Sequence, residues 1–203
     1  MRKRYAILPL VLTLALAQPA WARTSAEIAG IFDSGVAAYD AGDYPKAFKL
    51  WWELRFEDLA AMRNLAMMLR KGQGVEKDPK QAQEIYRRAA EVGLPTAQAD
   101  LADMLLKGEA GPPDLRAALP LLQAAAAANH PLAQFQLGQL YETGAPPLVP
   151  QNWEVARQLY EAAASRGVTE AADRLRVVTP VGTQAAAPQA VVAPADTAPA
   201  ARP

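Results

Sequence analysis

The 203-residue chain has no cysteine and a single histidine. Without cysteine there can be no disulfide staple, thiolate zinc site, thiol nucleophile or lipid-modified cysteine anchor. With His130 alone, no two-histidine metal site can form within the chain, and no serine sits beside a histidine in a nucleophile-elbow context. Net charge is missing too: 21 Lys and Arg balance 21 Asp and Glu, so no strong field favours nucleic acid as a partner. Gly72-Gln73-Gly74 lacks the preceding strand and the lysine-hydroxyl ending that a phosphate-binding loop needs. Beyond the N-terminus, no apolar run could span a membrane, which takes about 20 residues.

What the chain does have is repetition. Leu65, Leu101 and Leu137 recur at an interval of 36 residues, as do Gly72, Gly108 and Gly144. Asp78 returns as Asp114, Ala82 as Ala118, the pair Ala89-Ala90 as Ala125-Ala126, and Pro95 as Pro131. After Gly144 the longer turn Ala145 to Pro150 adds two residues, and Ala156, Ala163-Ala164 and Gly167 then answer Ala118, Ala125-Ala126 and Asn129. A fixed period of this size marks a helical repeat array.

Each unit repeats one piece of physics. Leu65 and Leu69, Leu101 and Leu105, and Leu137 and Tyr141 stand at i and i+4, giving each first helix an apolar stripe. The residue after each leucine is small (Ala66, Ala102, Gly138), which lets the paired helix approach closely. Second helices carry Ala82, Tyr86 and Ala89-Ala90, then Ala118, Leu122, Ala125 and Ala126, then Ala156, Tyr160, Ala163 and Ala164. One helix pair cannot cover both of its faces, so neighbours must stack. Asp78-Pro79 and Pro113-Asp114 mark helix starts. Gly93 and Gly167 stand where a helix ends in a left-handed residue.

The spacing Ala-x-x-x-Leu-(Gly/Ala)-x-x-(Tyr/Leu)-x-x-Gly-x-Gly-Val, then Asp-x-x-x-Ala, then (Tyr/Leu)-x-x-Ala-Ala-x-x-Gly resembles the Sel-one-like repeat, a longer relative of the tetratricopeptide repeat. Ala61 to Gly93 fits almost throughout; Ala97 to Asn129 lacks the second loop glycine and valine, and Ala133 to Gly167 has Ala-Pro-Pro in place of glycine. The resemblance implies an all-α, right-handed α/α solenoid of tetratricopeptide- and Sel-one-like helix pairs with a C-terminal capping helix. It covers roughly residues 30 to 178 and is specific for fold rather than function.

Before the repeats, Arg2, Lys3 and Arg4 precede an apolar run from Tyr5 to Ala17, and Ala20-Trp21-Ala22 offers a small-x-small cleavage pattern. Residues 1–22 therefore read as a signal peptide cut after Ala22. With no cysteine for a lipid anchor and a repeat resembling those of bacterial proteins, the expected location is periplasmic or secreted. The repeat domain is expected over 23–178, with units at about 28–57, 58–93, 94–129 and 130–167 and a cap at 169–178. The first unit pairs a helix from Ile28 to Tyr39 with one from Tyr44 to Arg55 across the Asp40-Ala41-Gly42-Asp43 turn, with Gly35, Ala47 and Trp51 as packing residues. Trp51 and Trp52 lie about 100° apart on a helix, so Trp51 is assigned to the core and Trp52 to the rim. Residues 179–203 turn to Ala, Pro, Val and Gln without periodicity and read as a disordered tail.

Chemistry is sparse. His130, between Asn129 and Pro131, reads as a polar loop residue, and Glu84 with Arg87 or Arg88 and Glu154 with Arg157 or Gln158 read as solvated helical pairs. No catalytic residue, metal site or cofactor is expected. What remains is a surface. In tetratricopeptide-like stacks the first helix of each unit lines a concave, partner-binding face. The helical phase then places Arg63, Met67 and Arg70, next Ala99, Asp103 and Leu106, then Phe135, Gln139 and Glu142 on it. The expected face grades from basic, through small and apolar, to acidic with an aromatic. That pattern suits a peptide segment of a protein partner, for instance a component of an envelope complex. The expected function is a non-enzymatic scaffold. The alternative is a glycan- or cell-wall-associated accessory protein or hydrolase, because cysteine-rich relatives in this repeat family are linked to penicillin binding and β-lactam cleavage. The absence of cysteine weighs against it.

Overall fold

The computed structural model describes residues 23–178. The signal peptide and tail expectations therefore lie outside the described residues. Nine helices account for the regular structure of the described residues, which contain no strand beyond one isolated bridge. The described residues divide into two compact units, 23–78 and 79–178. The division falls between the two helices of the repeat expected at 58–93.

In the first unit, α1 spans Ser25–Asp40, α2 Tyr44–Glu53 and α3 Leu59–Lys71. Helix α1 starts three residues earlier than the apolar pattern suggests because Thr24 and Glu27 form a capping box. The Thr24 hydroxyl accepts from Glu27 N at 3.2 Å, and the Glu27 carboxylate accepts from Thr24 N at 2.7 Å. Helix α2 stops two residues before Arg55, its last turn giving way to the turn that leads to Asp58, the N-cap of α3. Trp51 is buried with Ala38, Ala47, Leu54, Ala61, Leu65 and Met68 in a single core. Its indole N–H donates to Phe32 O at 3.3 Å, and its ring lies against Tyr39. Gly35 makes room for that ring: a Cβ there would fall 2.7 Å from Trp51 Cδ1. Gly74 serves a second close approach, since a Cβ would fall 2.6 Å from Pro45 N at the start of α2. The neighbouring Gln73 accepts a hydrogen bond from the Tyr39 hydroxyl at 2.9 Å.

The second unit holds α4 (Pro79–Glu91), α5 (Pro95–Lys107), α6 (Leu115–Ala127), α7 (Pro131–Thr143), α8 (Trp153–Ala164) and α9 (Thr169–Val178). Each helix packs on the next in sequence. The small residues lie at the contacts, as Ala102, Ala118, Ala125 and Ala133 are completely buried around Leu122. Gly93 and Gly167 take positive φ at the helix ends, and Asn129 takes the same conformation with φ 62 at the corresponding place. The longer third turn closes on itself through Ala145 and Val149, which exchange backbone hydrogen bonds, and it buries Val149.

A paired feature ties these repeats together. Gln98 Nε2 donates to Ala90 O at 3.3 Å, and 36 residues later Gln134 Nε2 donates to Ala126 O at 3.2 Å. Both acceptors lie in the last turn of the preceding helix and also accept a backbone N–H, from Gly93 and Asn129 respectively. Each glutamine thus adds a side-chain bond that fastens one helix to the next.

Candidate functional site

The candidate site is the exposed face of the first helices, described in each unit separately. In the first unit, Arg63, Met67 and Arg70 lie along α3 at intermediate exposure, while Leu65, Ala66, Met68 and Leu69 turn into the core. Both arginines are engaged in polar interactions. Met67 packs its inner side on the core and leaves the rest to solvent.

In the second unit, α5 and α7 flank a cleft of about 380 Å³. From α5 come Ala99, Asp100, Asp103 and Lys107; from α7 and its cap come His130, Leu132, Phe135, Gln136 and Gln139. The spacing explains the arrangement. Residues 99, 103 and 107, like 132, 135, 136 and 139, stand three or four apart and share one helix side, and the 36-residue register brings equivalent sides of α5 and α7 together. Four of the six residues expected from the sequence in this unit, Ala99, Asp103, Phe135 and Gln139, line this one cleft. Ala99 forms its floor and is only 5% exposed, so it contributes backbone proximity more than a side-chain handle. Leu106 lies outside the lining, half-buried against the core of α5 to α7.

Apolar groups line one side of this cleft and polar groups the rim. Phe135 lies against the Tyr160 ring, with centroids 5.7 Å apart, and Leu132 projects into solvent at 56% exposure. Asp103 accepts from Lys107 Nζ at 2.8 Å and from Gln136 Nε2 at 2.9 Å, bridging the two walls. His130 is more than a loop residue: it is the N-cap of α7, its Nδ1 accepting from Ala133 N at 3.3 Å. The residue before Pro131 thereby satisfies one donor of the first turn; its counterpart before Pro95, Leu94, makes no side-chain cap bond.

Glu142, expected on this face, is also held within the chain. Its carboxylate accepts from the Tyr160 hydroxyl and from Arg174 Nη1, the latter at 3.2 Å, and its side chain is 11% exposed. The acidic end expected of the face is thus neutralised by the terminal helix α9. Burial, then the Glu142 carboxylate beside it, raises the Tyr160 phenol well above the ordinary tyrosine range. The pairs read as solvated do form: Glu84 accepts from both Arg87 and Arg88, and Glu154 from both Arg157 and Gln158. Hydrogen bonds from Arg157, then Gln158, hold the Glu154 carboxyl below the usual carboxylate range. Among the described residues, no group of three His, Cys, Asp or Glu side chains could hold a metal ion, and no helix is long and apolar enough to cross a membrane.

The Sel1 repeat model matches residues 59–94, 95–130 and 131–168, more than half of the chain. The chain belongs to the Sel1 repeat family. Among solved structures, a Sel1 repeat protein from Oxalobacter formigenes is 32% identical with a TM-score of 0.66, over 71% of this chain and 58% of that one. A protective antigen of uropathogenic Escherichia coli strains, displaying an SLR fold, is 26% identical with a TM-score of 0.67, over 73% of this chain and 32% of its own. An immunity protein from Pseudomonas aeruginosa shares the fold at 23% identity and a TM-score of 0.55, over 76% of this chain and 59% of that one. This Sel1 repeat chain therefore spans less than two thirds of the length of these relatives. No curated protein matches it. The family and these neighbours support an all-α helical-repeat solenoid.

Proposed function

We propose that the chain is a non-enzymatic scaffold of the bacterial periplasm that holds a peptide segment of a protein partner against its first helices. The α5–α7 cleft carries this reading. Its volume lies within the range of ligand sites, about 300–1,000 Å³, and its lining combines an aromatic, an exposed leucine and hydrogen-bonding amides. Phe135 and Leu132 receive an apolar side chain of the segment. Gln136 and Gln139 meet its backbone, which is how helical grooves commonly combine apolar anchors with polar positioning. Ala99 and Asp103 complete this cleft. Leu106 and Glu142 on the second unit, and Arg63, Met67 and Arg70 on the first, are the remaining residues assigned to partner contact. The periplasmic assignment is supported by the basic, apolar and small-x-small pattern of residues 1–22.

The test is capture of partners after crosslinking in intact cells, comparing the parent chain with Leu132→Asp/Phe135→Ser. Enrichment of one or a few envelope proteins by the parent and not by the variant is the expected result. Equal enrichment by both would move the site off this cleft, and enrichment of cell-wall fragments instead would replace the scaffold with the glycan-associated reading. Fractionation of the same cells checks the compartment, and recovery in the cytoplasm would overturn it.

A further inference from the structure

The first unit carries an exposed feature of its own. On α2 and the turn after it, Phe48, Trp52, Arg55 and Phe56 form a continuous column. Phe48 stacks on Trp52 with centroids 5.8 Å apart and an interplanar angle of 22°. The Arg55 guanidinium lies 4.7 Å from the Trp52 centroid and 4.6 Å from that of Phe56. Phe48 packs its inner side on the core that holds Ala47, Trp51 and Leu54, and the column runs outward from it. Trp52 is 38% and Phe56 77% exposed. Trp52 and Phe56 thus leave aromatic surface open to solvent beside a cation.

We propose that this column docks an acidic peptide segment in which carboxylates alternate with apolar side chains. Two observations select that partner. The guanidinium makes one hydrogen bond, from Nη1 to Trp52 O at 2.7 Å, and carries five N–H donors in all, so most of a fork suited to carboxylate is open. The column carries the positive charge of Arg55, while the nearby Glu57 and Glu53 carboxylates share Arg23, 2.5 Å and 3.8 Å away. Exposed Lys49, three residues before Trp52, adds a second positive charge. Together the guanidinium and Lys49 attract carboxylates, while the exposed Trp52 and Phe56 rings cover apolar side chains.

The test is an NMR titration of the folded chain with a twelve-residue peptide of alternating Glu with Leu or Phe, beside a twin with Lys for Glu, and with anionic phosphatidylglycerol vesicles. Shifts centred on Phe48 to Phe56 and the Trp52 indole, affinity for the acidic peptide at least tenfold above the Lys twin, and at least a fivefold loss in Arg55→Glu are expected. Arg55→Lys, which keeps the charge but loses the stacked fork, is expected to fall between. Equal binding of both peptides, shifts centred elsewhere, or binding to vesicles but not to the peptide would overturn the proposal. The substituted side chains are solvent-facing, and an unchanged helical circular dichroism spectrum confirms that each variant is folded.

Discussion

Gly138 and Tyr160 touch so closely that a Cβ at position 138 would fall 2.7 Å from Tyr160 Cε1. In the preceding repeat the corresponding residues are Ala102 and Leu122, both fully buried, so that repeat has a methyl where this one has none and a leucine where this one has a ring. Gly138→Ala should therefore destabilise the fold by roughly 1–3 kcal/mol, the usual cost of overpacking. Combining it with Tyr160→Leu should recover part of that loss. Thermal or urea unfolding of the two single variants and the double variant measures the coupling, and strict additivity would contradict this packing relationship.

The glutamine fasteners give a second expectation. Gln134 is buried and its Nε2 serves the Ala126 carbonyl. Gln134→Ala removes that bond and leaves a void, for an expected loss of about 1–3 kcal/mol. Hydrogen exchange should show faster opening at the end of α6, and unchanged exchange there would deny the bond its fastening role.

Helix α6 contains a correctable fault. Pro120 lies inside Leu115–Ala127 on the exposed side, where it denies a donor to the carbonyl four residues earlier. Pro120→Ala should raise stability by roughly 1–3 kcal/mol, since proline in a helix interior costs about 3 kcal/mol relative to alanine. A lower melting temperature would mean that the surrounding backbone is adapted to the ring.

Alkaline pH probes the Tyr160–Glu142–Arg174 contact. Tyr160 has a phenol pKa raised in the folded state, so folding favours its neutral form. Its contribution is complete below the unfolded value of about 10 and declines as pH rises from there toward the folded value. Stability of the parent chain should drop above that pH more steeply than that of Tyr160→Phe, as followed by urea unfolding from neutral to alkaline pH. Parallel curves would show that the phenol is not responsible.

Much of this architecture is legible in the sequence because repetition amplifies weak signals. One Leu-Ala pair says little; Leu65-Ala66, Leu101-Ala102 and Leu137-Gly138 in register fix which side of each first helix is buried, and all six residues are buried. The Trp51 and Trp52 assignments follow from helical phase and hold at 2% and 38% exposure. The departures arise where a side chain acts outside its own helix stripe. The Thr24-x-x-Glu27 capping signal precedes the apolar pattern and extends α1. Gln98 and Gln134 repeat at the same 36-residue interval as the leucines, but polar residues on a helix give no sign of a carbonyl on the previous one. Glu142 has the phase of a face residue, yet it is recruited by Arg174 from a helix that lies outside the repeat period.

The most direct measurement of the scaffold function is photo-crosslinking in living cells from a benzophenone side chain placed at Phe135, with Gln123, exposed on α6, as the control position. A discrete crosslinked protein from position 135 and none from position 123 is the predicted result. No crosslink from position 135, or the same products from both positions, would contradict a partner held in the α5–α7 cleft.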